Sequence, residues 1–355
     1  MTDFDFLVFI GRFQPFHKGH LKVLQAALVN SRNVIVMIGS AHLPRSTRNP
    51  WTAAEREEMI RACFSKQENE RIHIVPLMDI VYNNEHWVKN VQTTVNGLVV
   101  AHHNTPHKSA KIGLIGHRKD SSSFYLNLFP QWQSVEVTNY KNISSTPIRE
   151  SIFNGEIQGG EAWSDYKVEH NYRDALPTPI EKYIETFVEM EAYEHIKEEH
   201  DFINKYKSAW ENSPYAPTFI TVDAIVVQSG HVLLVERKAR PGKGLFALPG
   251  GFINEDEKLV DACIRELREE TRLKVPTPVL YGSIKEQRVF DDPFRSARGR
   301  TITHAFYIEL QPNSELPKVK GGDDAKRAMW IPLSELTPEN LFEDHYFIIQ
   351  ELIGM

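Results

Sequence analysis

Hydrophobic runs alternate with helical patterns along the first part of the chain. Residues 6–10 form a continuous apolar run, which is typical of a parallel strand buried on both faces. Leu21, Leu24 and Leu28 then recur at helical spacing, and residues 33–38 predict a second buried strand. Helical spacing returns at residues 52–64, and further strand-length runs lie at residues 72–76, 111–115 and 134–137. This alternation predicts an α/β fold with a doubly wound parallel sheet.

The pattern changes after residue 172, where the chain becomes acidic and helical. Residues 173–216 predict a helical connector that ends in the proline-containing stretch ENSPYAPTF. A new strand register begins at residues 219–227, and residues 232–236 are predicted to pair with it through a Ser229-Gly230 turn. We therefore predict a first domain at residues 1–172, the connector at 173–216 and a second domain at 217–355.

Composition narrows the class of protein. A chain of 355 residues is long enough for two hydrophobic cores, and its net charge of −6 argues against bulk attraction to nucleic acid. Its apolar runs are too short for a membrane helix, and its acidic start lacks the basic region of a secretory signal. The two cysteines, Cys63 and Cys263, indicate neither a disulfide framework nor a zinc cluster. We expect a cytoplasmic protein that acts on small phosphorylated molecules.

The stretch GRFQPFHKGH joins the first strand to the first helix. Gly11 follows the strand directly, and such a loop lies at the sheet edge where open α/β folds bind ligands. Free N–H groups at the start of the helix favour a phosphate, and His17 and His20 can both face it. Two imidazoles there could stabilise charge as pyrophosphate leaves. A histidine pair alone is weak evidence, but zinc would need another spacing and a third ligand.

A second motif, ISSTPIR at residues 143–149, predicts the start of another helix. Its hydroxyl side chains suit an N-cap, and its proline suits the first helical position. Arg149 in the first turn opposes the helix dipole unless an anion is bound nearby. A bound phosphate would remove that conflict.

Together these motifs resemble the nucleotidyltransferase superfamily with its HxGH and ISSTxxR signatures, and most closely the archaeal type of nicotinamide mononucleotide (NMN) adenylyltransferase. The stretches RNPWTAAERxxMI (residues 48–60) and DIVYNNEHWV (79–88) also look like that family's. The resemblance implies a Rossmann-like domain in which ATP is bound by Gly11, Arg12, Phe13, His17, His20, Ser145, Thr146 and Arg149. His17, His20 and Arg149 would be its catalytic residues, while Mg²⁺ accompanies the triphosphate.

The same resemblance places Arg48 and Asn49 near the mononucleotide and stacks Trp87 on the nicotinamide ring. On composition alone, Trp87 would equally suit a core or an interface. The implied reaction is an in-line attack of the mononucleotide phosphate on the α-phosphorus of ATP. No protein nucleophile is required, because alignment and charge neutralisation supply the catalysis.

The second domain carries a motif whose spacing is more specific than its composition. Gly251 is followed after five residues by Glu257, and after seven more by Arg265-Glu266-Leu267-x-Glu269-Glu270. Glu266, Glu269 and Glu270 share one helical face and repel one another unless a cation neutralises them. Mg²⁺ or Mn²⁺ is the natural ligand for three such carboxylates. RELREE alone would suit a solvated helix, but the added glycine and glutamate make that reading weak.

This spacing resembles the Nudix box and implies an α/β/α sandwich with a mixed sheet. Gly251, Glu257 and Arg265 would shape the box, Glu266, Glu269 and Glu270 would bind metal, and Glu269 and Glu270 would be catalytic. Arg272 stands where the box usually has glycine, which leaves the end of the helix in doubt. The general base is left open between a box glutamate and a loop acid such as Glu286.

Two downstream stretches, at residues 291–308 and 321–336, look like those of ADP-ribose pyrophosphatases. Arg295, Arg298 and Arg300 suit a diphosphate, although an exposed basic loop would look the same.

The whole chain thus resembles a bifunctional NMN adenylyltransferase and Nudix hydrolase. One site would make NAD from ATP and NMN, and the other would hydrolyse ADP-ribose to AMP and ribose 5-phosphate. Two alternatives stay open: the first site could use nicotinic acid mononucleotide, and the Nudix half could be a ligand sensor or act on another nucleoside diphosphate derivative. We expect nucleotide ligands and no nucleic acid or membrane partner, with a homo-oligomer as one possible state.

Overall fold

The computed structural model describes residues 2–102, 110–116, 126–155, 172–322 and 325–354. The chain divides into two compact units, Met1–Lys197 and Glu198–Met355, so the division lies within the segment predicted as a connector. Asp323 and Asp324, from one of the downstream stretches, lie outside the described residues. None of the helices in these described ranges is long and apolar enough to span a membrane.

The first unit is built on a parallel sheet. Its strands are β1 (Phe4–Gly11), β2 (Ser31–Ile38), β3 (Ile72–Pro76), β4 (Ile112–Gly116) and β5 (Gln133–Glu136). The order across the sheet is β3-β2-β1-β4-β5, and every neighbouring pair is parallel. Along β1, Leu7 and Phe9 enter one core, whereas Val8 and Ile10 enter the other. The predicted parallel sheet with both faces buried is therefore confirmed.

Helices cover the strands of this unit. They are α1 (Lys18–Asn30), α2 (Ala53–Arg61), α3 (Lys66–Asn69), α4 (Asn84–His102), α5 (Ser145–Phe153), α6 (Thr178–Phe187) and α7 (Glu191–Ser208), the last of which runs on into the second unit. Ile180, Ile184 and Phe187 of α6 are buried in the core beside α1 and β2. The ring centroid of Phe187 lies 5.3 Å from that of Trp51. The first part of the predicted connector thus contributes to the core of the first unit.

The second unit has a mixed sheet. Its elements are β6 (Thr218–Gln228), β7 (His231–Arg237), β8 (Phe246–Ala247), β9 (Gly250–Phe252), α8 (Leu259–Thr271), α9 (Thr277–Gly282), β10 (Ile284–Phe290), β11 (Arg300–Glu309), β12 (Ala325–Pro332) and α10 (His345–Ile353). The order is β10-β11-β6-β7-β12, with β8 beside β7 and β9 beside β6. Only the β6–β11 pair is parallel among these described strands. The predicted mixed sheet is confirmed.

The hairpin between β6 and β7 forms where the sequence predicted it. Val227 pairs with Val232 and Gln228 with His231, so Ser229 and Gly230 make the turn. Both turn residues have positive φ, +47° and +72°, as a tight hairpin of this type requires. Helix α8 packs its apolar side against β6, which sets the carboxylates of the helix beside β9.

Candidate active sites

His17 and His20 form a stacked pair at the start of α1. The Nδ1 atom of His17 accepts hydrogen bonds from the backbone N–H groups of Gly19 (3.1 Å) and His20 (3.4 Å). The Nδ1 atom of His20 accepts one from the N–H of His17 at 3.3 Å. The two rings are nearly parallel, with centroids 3.6 Å apart. A Cβ on Gly19 would lie 2.9 Å from the His17 ring, so glycine permits this arrangement.

These hydrogen bonds decide which nitrogen of each ring carries the proton. A neutral imidazole has one acceptor nitrogen and one donor nitrogen. Because Nδ1 accepts in both His17 and His20, the proton of each neutral ring lies on Nε2. Serine, threonine, aspartate or asparagine usually caps a helix, so a histidine N-cap such as His17 is unusual. The pair presents two N–H donors side by side at a helix N-terminus, where anions bind.

The ring of Phe13 packs against the histidine pair, and Gly11 leaves space for that ring. Phe13 is buried, and its ring meets that of His20 edge to face at a centroid distance of 5.0 Å. A Cβ on Gly11 would come within 2.8 Å of the Phe13 ring. The structure therefore places Phe13 in the core behind the histidines, and Gly11 makes room for it.

Arg149 is buried and is fixed by three hydrogen bonds. Its Nη1 donates to the carbonyl of Gln14 at 2.7 Å, and its Nε donates to the carbonyl of Thr47 at 3.1 Å. Its Nη2 donates to the hydroxyl of Thr146 at 3.2 Å. The hydroxyl of Ser145 donates to the carbonyl of Pro15. The second motif thus packs directly against the histidine loop.

Arg149 belongs to a group of cations with Arg12 and Arg48. Burial first, and then the charge of Arg48, lowers the pKa of Arg12 to about 10. Burial first, and then the charges of Arg12 and Arg48, lowers the pKa of Arg149 to about 10. The buried Nη1 of Arg12 has no hydrogen-bond partner among the described residues. A bound anion would reduce the repulsion between these guanidinium groups and accept a hydrogen bond from the unsatisfied donor.

Arg56 is a residue that our sequence reading did not single out. It is 1% exposed, and its Nη1 donates to the carbonyls of Arg12 and Gly39, both at 2.7 Å. Its Nη2 donates to the carbonyl of Ser40 at 3.1 Å. Arg56 therefore ties the loop after β1 to the loop after β2. The available signal was its position on α2, on the same face as the buried Met59 and Ile60.

Asp79 also lies at this edge of the sheet. One of its carboxylate oxygens accepts a hydrogen bond from the backbone N–H of Ser40 at 3.0 Å, and the other accepts from the Ser40 hydroxyl. The charge of Asp79 raises the pKa of Arg12 against the larger effect of burial. Asp79 thus places a negative charge near the arginine group. In the sequence, the only indication of this role was that Asp79 begins the DIVYNNEHWV stretch.

Of the three residues predicted near the mononucleotide, Arg48 lies close to Arg149. Asn49 is buried, its backbone N–H donates to the Ser46 hydroxyl at 3.1 Å, and its side-chain oxygen has no partner among the described residues. Arg48 is near enough to lower the pKa of Arg149. Trp87 is half-buried on α4, with its ring centroid 6.0 Å from that of Phe129.

In the second unit, Arg265 connects the acidic residues of the Nudix-like motif. Its Nε and Nη2 donate to Glu257 at 2.9 and 2.5 Å. Its Nη1 donates to Glu266 at 2.7 Å and to Glu269 at 3.0 Å. Hydrogen bonds from Arg265 are the largest cause that lowers the pKa of Glu257, to about 2. One guanidinium thus holds three carboxylates that would otherwise repel one another.

The remaining carboxylates of the motif lie against β9. Glu270 accepts a hydrogen bond from the N–H of Gly250 at 3.0 Å. Burial, together with the charge of Glu266, raises the pKa of Glu270 to about 8. A Cβ on Gly251 would come within 2.8 Å of the Glu266 carboxylate, so a larger residue there would require this carboxylate to shift. No three His, Cys, Asp or Glu side chains within the described ranges are already arranged to hold a metal ion.

A cavity opens beside Glu270 and the glycines of β9. Arg298 lines it, with its guanidinium carbon 5.3 Å from the centroid of the Phe252 ring. Arg295 also lines it, but this side chain is buried in a two-bond ion pair with Asp344 at 2.9 and 3.0 Å. Arg300 instead pairs with Asp291 and is not among the lining residues. Glu286 is exposed on β10 and is likewise not among them.

This cavity is also lined by side chains that the sequence reading did not name, among them Asp223, Arg237, Glu343 and His345. Asp223 is buried and accepts a hydrogen bond from the Thr303 hydroxyl at 2.5 Å, while burial raises its pKa. These residues come from β6, from β7, from the segment before α10 and from the first position of α10. No motif spacing connects them, so only the fold brings them together.

Comparisons with known proteins follow the same division. A family model described as cytidylyltransferase-like matches residues 8–151, and the NUDIX domain model matches residues 217–352. The fold and the two sites thus define a nucleotidyltransferase-like unit joined to a NUDIX unit.

Individual relatives match either one unit or the whole chain. The nicotinamide/nicotinic acid mononucleotide adenylyltransferase of Acinetobacter baylyi is 40% identical over 201 residues, which cover 56% of this chain and 95% of that protein. The ADP-ribose pyrophosphatase of Methanocaldococcus jannaschii is 36% identical over 137 residues, covering 39% of this chain and 74% of that protein.

A crystal structure from Francisella tularensis matches over 99% of both chains, with 35% identity and a TM-score of 0.85. It is described as a bifunctional NMN adenylyltransferase/ADP-ribose pyrophosphatase complexed with AMP and a manganese ion. The present chain belongs to this family of bifunctional NMN adenylyltransferase/ADP-ribose pyrophosphatases. The family and the fold class predicted from the sequence are confirmed.

Proposed function

We propose that the chain is a bifunctional enzyme of NAD metabolism. Its first unit transfers AMP from ATP to NMN, giving NAD and pyrophosphate. Its second unit hydrolyses ADP-ribose to AMP and ribose 5-phosphate. The relatives that match each unit bear the names of these two activities, and the relative that matches the whole chain bears both.

The observation that carries the first activity is the stacked histidine pair beside the buried arginines. Two Nε2–H donors and the Nη1 of Arg12, which has no partner in the described part of the chain, can all reach one polyphosphate, with Arg149 fixed beside them. A phosphate oxygen of NMN attacks the α-phosphorus of ATP, and the bond from that phosphorus to the bridging oxygen breaks. Pyrophosphate leaves with the electron pair. The imidazole and guanidinium donors neutralise the charge that develops on it.

The mononucleotide would lie near Arg48 and Asn49, with Trp87 against the pyridine ring. The Acinetobacter relative is named for both the amide and the acid mononucleotide, so nicotinic acid mononucleotide is the second candidate substrate. The side-chain oxygen of Asn49 favours an amide donor, whereas the charge of Arg48 favours a carboxylate. Turnover of the two mononucleotides at equal concentration decides between them.

In the second unit, Glu266, Glu269 and Glu270 would hold a divalent cation, Mg²⁺ or Mn²⁺. The donor set fits, because three carboxylates of one helical face are hard oxygen ligands. Gly251 leaves open the space beside Glu266, and the charge of Glu266 raises the pKa of Glu270, a repulsion that a bound cation would relieve. A cation bound there would supply positive charge to the diphosphate and to the attacking water. Arg265 and Glu257 would keep the ligands oriented.

The hydrolysis breaks one phosphorus–oxygen bond of the diphosphate. Water adds to the phosphorus, its proton passes to a carboxylate, and the other phosphate leaves. Arg298 lines the cavity and faces the same volume as Glu270, so it can bind the diphosphate there. Glu286 is exposed outside the cavity, which favours a glutamate of the motif as the proton acceptor.

A crossed pair of variants tests both activities in the full chain. His20→Ala should lower NAD synthesis on the order of 100-fold to 1,000-fold, the loss expected for one transition-state donor. Glu270→Gln keeps the volume and the acceptor for Gly250 but should lower ADP-ribose hydrolysis by a similar factor. Each variant should retain the other activity. NAD synthesis by His20→Ala at the wild-type rate would reject the first assignment, and no AMP release by the wild type would favour a ligand sensor.

A further inference from the structure

Two histidines of the first unit meet at the amino ends of its strands. His73 is the second residue of β3, and His102 is the last residue of α4. Their ring centroids lie 4.2 Å apart, with an angle of 63° between the ring planes. Strand β3 runs parallel to β2, and β2 to β1, so this end of the sheet lies opposite the loops that follow β1 and β2. The histidine pair is therefore separate from the nucleotide site of this unit.

Hydrogen bonds to oxygen atoms decide the tautomer of both rings. The Nε2 atom of His73 lies 3.1 Å from the Oδ1 atom of Asn33, and the Nδ1 atom of His102 lies 3.0 Å from the carbonyl oxygen of Leu98. A carbonyl oxygen only accepts, so Nε2 of His73 and Nδ1 of His102 carry the protons. The lone pairs then lie on Nδ1 of His73 and on Nε2 of His102. Neither of these two nitrogens has a hydrogen-bond partner within the described ranges.

This arrangement is typical of histidines that bind a metal ion. Such a histidine almost always donates its second ring N–H to a carbonyl, a carboxylate or a water, which fixes the tautomer and the ring. Burial first, and then the charges of His102 and Arg61, lowers the pKa of His73, so this ring is neutral at pH 7. Neutral imidazole is the form that binds a metal ion. Arg61 is itself paired with Glu57 at 2.8 Å, which limits its repulsion of a cation.

The distance between the rings suits one shared ion. Bonds of about 2.1 Å from the two nitrogens to a tetrahedral ion would place the ring centroids roughly 5 Å apart. The observed distance is 4.2 Å, so a shift of about 1 Å is enough. His102 is exposed at the end of its helix and has room for that shift. No third His, Cys, Asp or Glu among the described residues completes the set, so water would occupy the remaining positions.

We propose that His73 and His102 bind one divalent transition-metal ion, and that Asn33 orients the ring of His73. Imidazole nitrogen suits Zn²⁺, Ni²⁺ and Cu²⁺, whereas Mg²⁺ and Ca²⁺ prefer oxygen ligands. The bound ion would join the end of α4 to β3 and so stabilise the first unit. The ion takes no part in either reaction proposed above, and this inference does not depend on those reactions.

Ni²⁺ binding to the full chain tests the site. Titration calorimetry on metal-free protein, with Mg²⁺ in excess to compete for carboxylate sites, counts the Ni²⁺ ions bound at saturation. His73→Gln and His102→Gln should each bind one ion fewer than the wild type, because two ligands are needed to hold the ion. His195→Gln, an exposed histidine on α7, is the matched control and should bind as many as the wild type. The melting temperature of the first unit should rise with Ni²⁺ in the wild type and in this control alone.

Asn33 is tested through its hydrogen bond to His73. Asn33→Ala removes the acceptor and should weaken Ni²⁺ binding at this site by about 10- to 100-fold, the loss typical when the partner of a metal-binding histidine is removed. Asn33→Asp keeps an oxygen acceptor and should restore the affinity. A merely structural role of Asn33 would lower the melting temperature of the metal-free variants without separating their Ni²⁺ affinities.

Equal numbers of bound Ni²⁺ ions in the wild type and in a folded His102→Gln variant would overturn the proposed site. Because His102 is exposed, this variant decides the question even if His73→Gln does not fold. Equal Ni²⁺ affinities of Asn33→Ala and Asn33→Asp would overturn the orienting role of Asn33. A melting temperature that Ni²⁺ raises equally in the wild type and in His102→Gln would show that the stabilising ion binds elsewhere.

Discussion

Replacing Arg272 by glycine should stabilise the second unit. Helix α8 ends at Thr271, and Arg272 takes the left-handed conformation with φ of +50° and ψ of +29°. The doubt about this helix end is thus resolved, because arginine adopts the conformation that glycine usually supplies. Its N–H donates to the carbonyl of Arg268 at 2.9 Å, and the N–H groups of Lys320 and Gly322 satisfy the carbonyls of Thr271 and Glu270. The carbonyls of Arg268, Glu270 and Thr271 at the helix end are therefore paired, while Arg272 has a left-handed backbone conformation.

The magnitude follows from that conformation. A residue with a Cβ in this conformation costs roughly 1–2 kcal/mol. Glycine avoids that cost but loses about 0.5–1 kcal/mol through the greater freedom of the unfolded chain. Arg272 is exposed, so removal of its side chain loses little packing. Arg272→Gly should raise the free energy of unfolding by roughly 0.5–1 kcal/mol, which corresponds to a few degrees in Tm for a unit of this size.

Scanning calorimetry of the full chain measures the effect. The transition of the second unit is the one that ADP-ribose in EDTA shifts upward, because a ligand stabilises the unit that binds it. Arg272→Ala is the matched variant, since it removes the same side chain but keeps the strained Cβ. The glycine variant should melt above the alanine variant. If the two melt together, or if alanine is the more stable, the strain argument is wrong.

Two further predictions concern buried groups. Burial lowers the pKa of His345 to about 3, while its Nδ1 accepts a hydrogen bond from the N–H of Leu248 at 2.9 Å. Below about pH 6.5 this histidine is protonated in the unfolded chain but stays neutral in the folded chain. The free energy of unfolding therefore falls as the pH drops toward 3. His345→Asn keeps an acceptor for Leu248. Between pH 7 and pH 5 its free energy of unfolding should fall by roughly 2 kcal/mol less than that of the wild type, measured by denaturant unfolding. The same pH dependence in both proteins would contradict this. Arg56→Met leaves three buried carbonyls without donors and should destabilise the first unit by roughly 3–5 kcal/mol in calorimetry, with ADP-ribose hydrolysis retained below the transition. Wild-type melting of the first unit would refute that role.

Local sequence patterns predicted those structural features that depend on a single segment of the chain. The apolar run of β1, the hairpin turn at Ser229-Gly230 and the shared helical face of Glu266 and Glu270 depend on residues within one or two elements. Spacing also predicted the contact of Arg265 with Glu257, because Arg265 lies eight positions after Glu257 on the helix that begins at Leu259. Hydrophobic period and short-range spacing are properties of the sequence itself.

The arginines of the NUDIX cavity show where local patterns fail. Arg295 and Arg298 lie three residues apart and look equivalent in the sequence. In the fold, Asp344 neutralises Arg295, whereas Arg298 faces the cavity without an ion pair among the described residues. Which charge is neutralised depends on a partner almost fifty residues away.

The sequence by itself determined the two kinds of domain and the motifs of both sites. It did so because a strand, a helix face and a capped loop are read from neighbours in the chain. Tertiary structure alone decided the strand order, the burial of Arg56 between two loops, and the approach of Glu199 to the loop beside Arg237. Those contacts join residues far apart in sequence, and their energies arise from burial and charge, which exist only after the chain has folded.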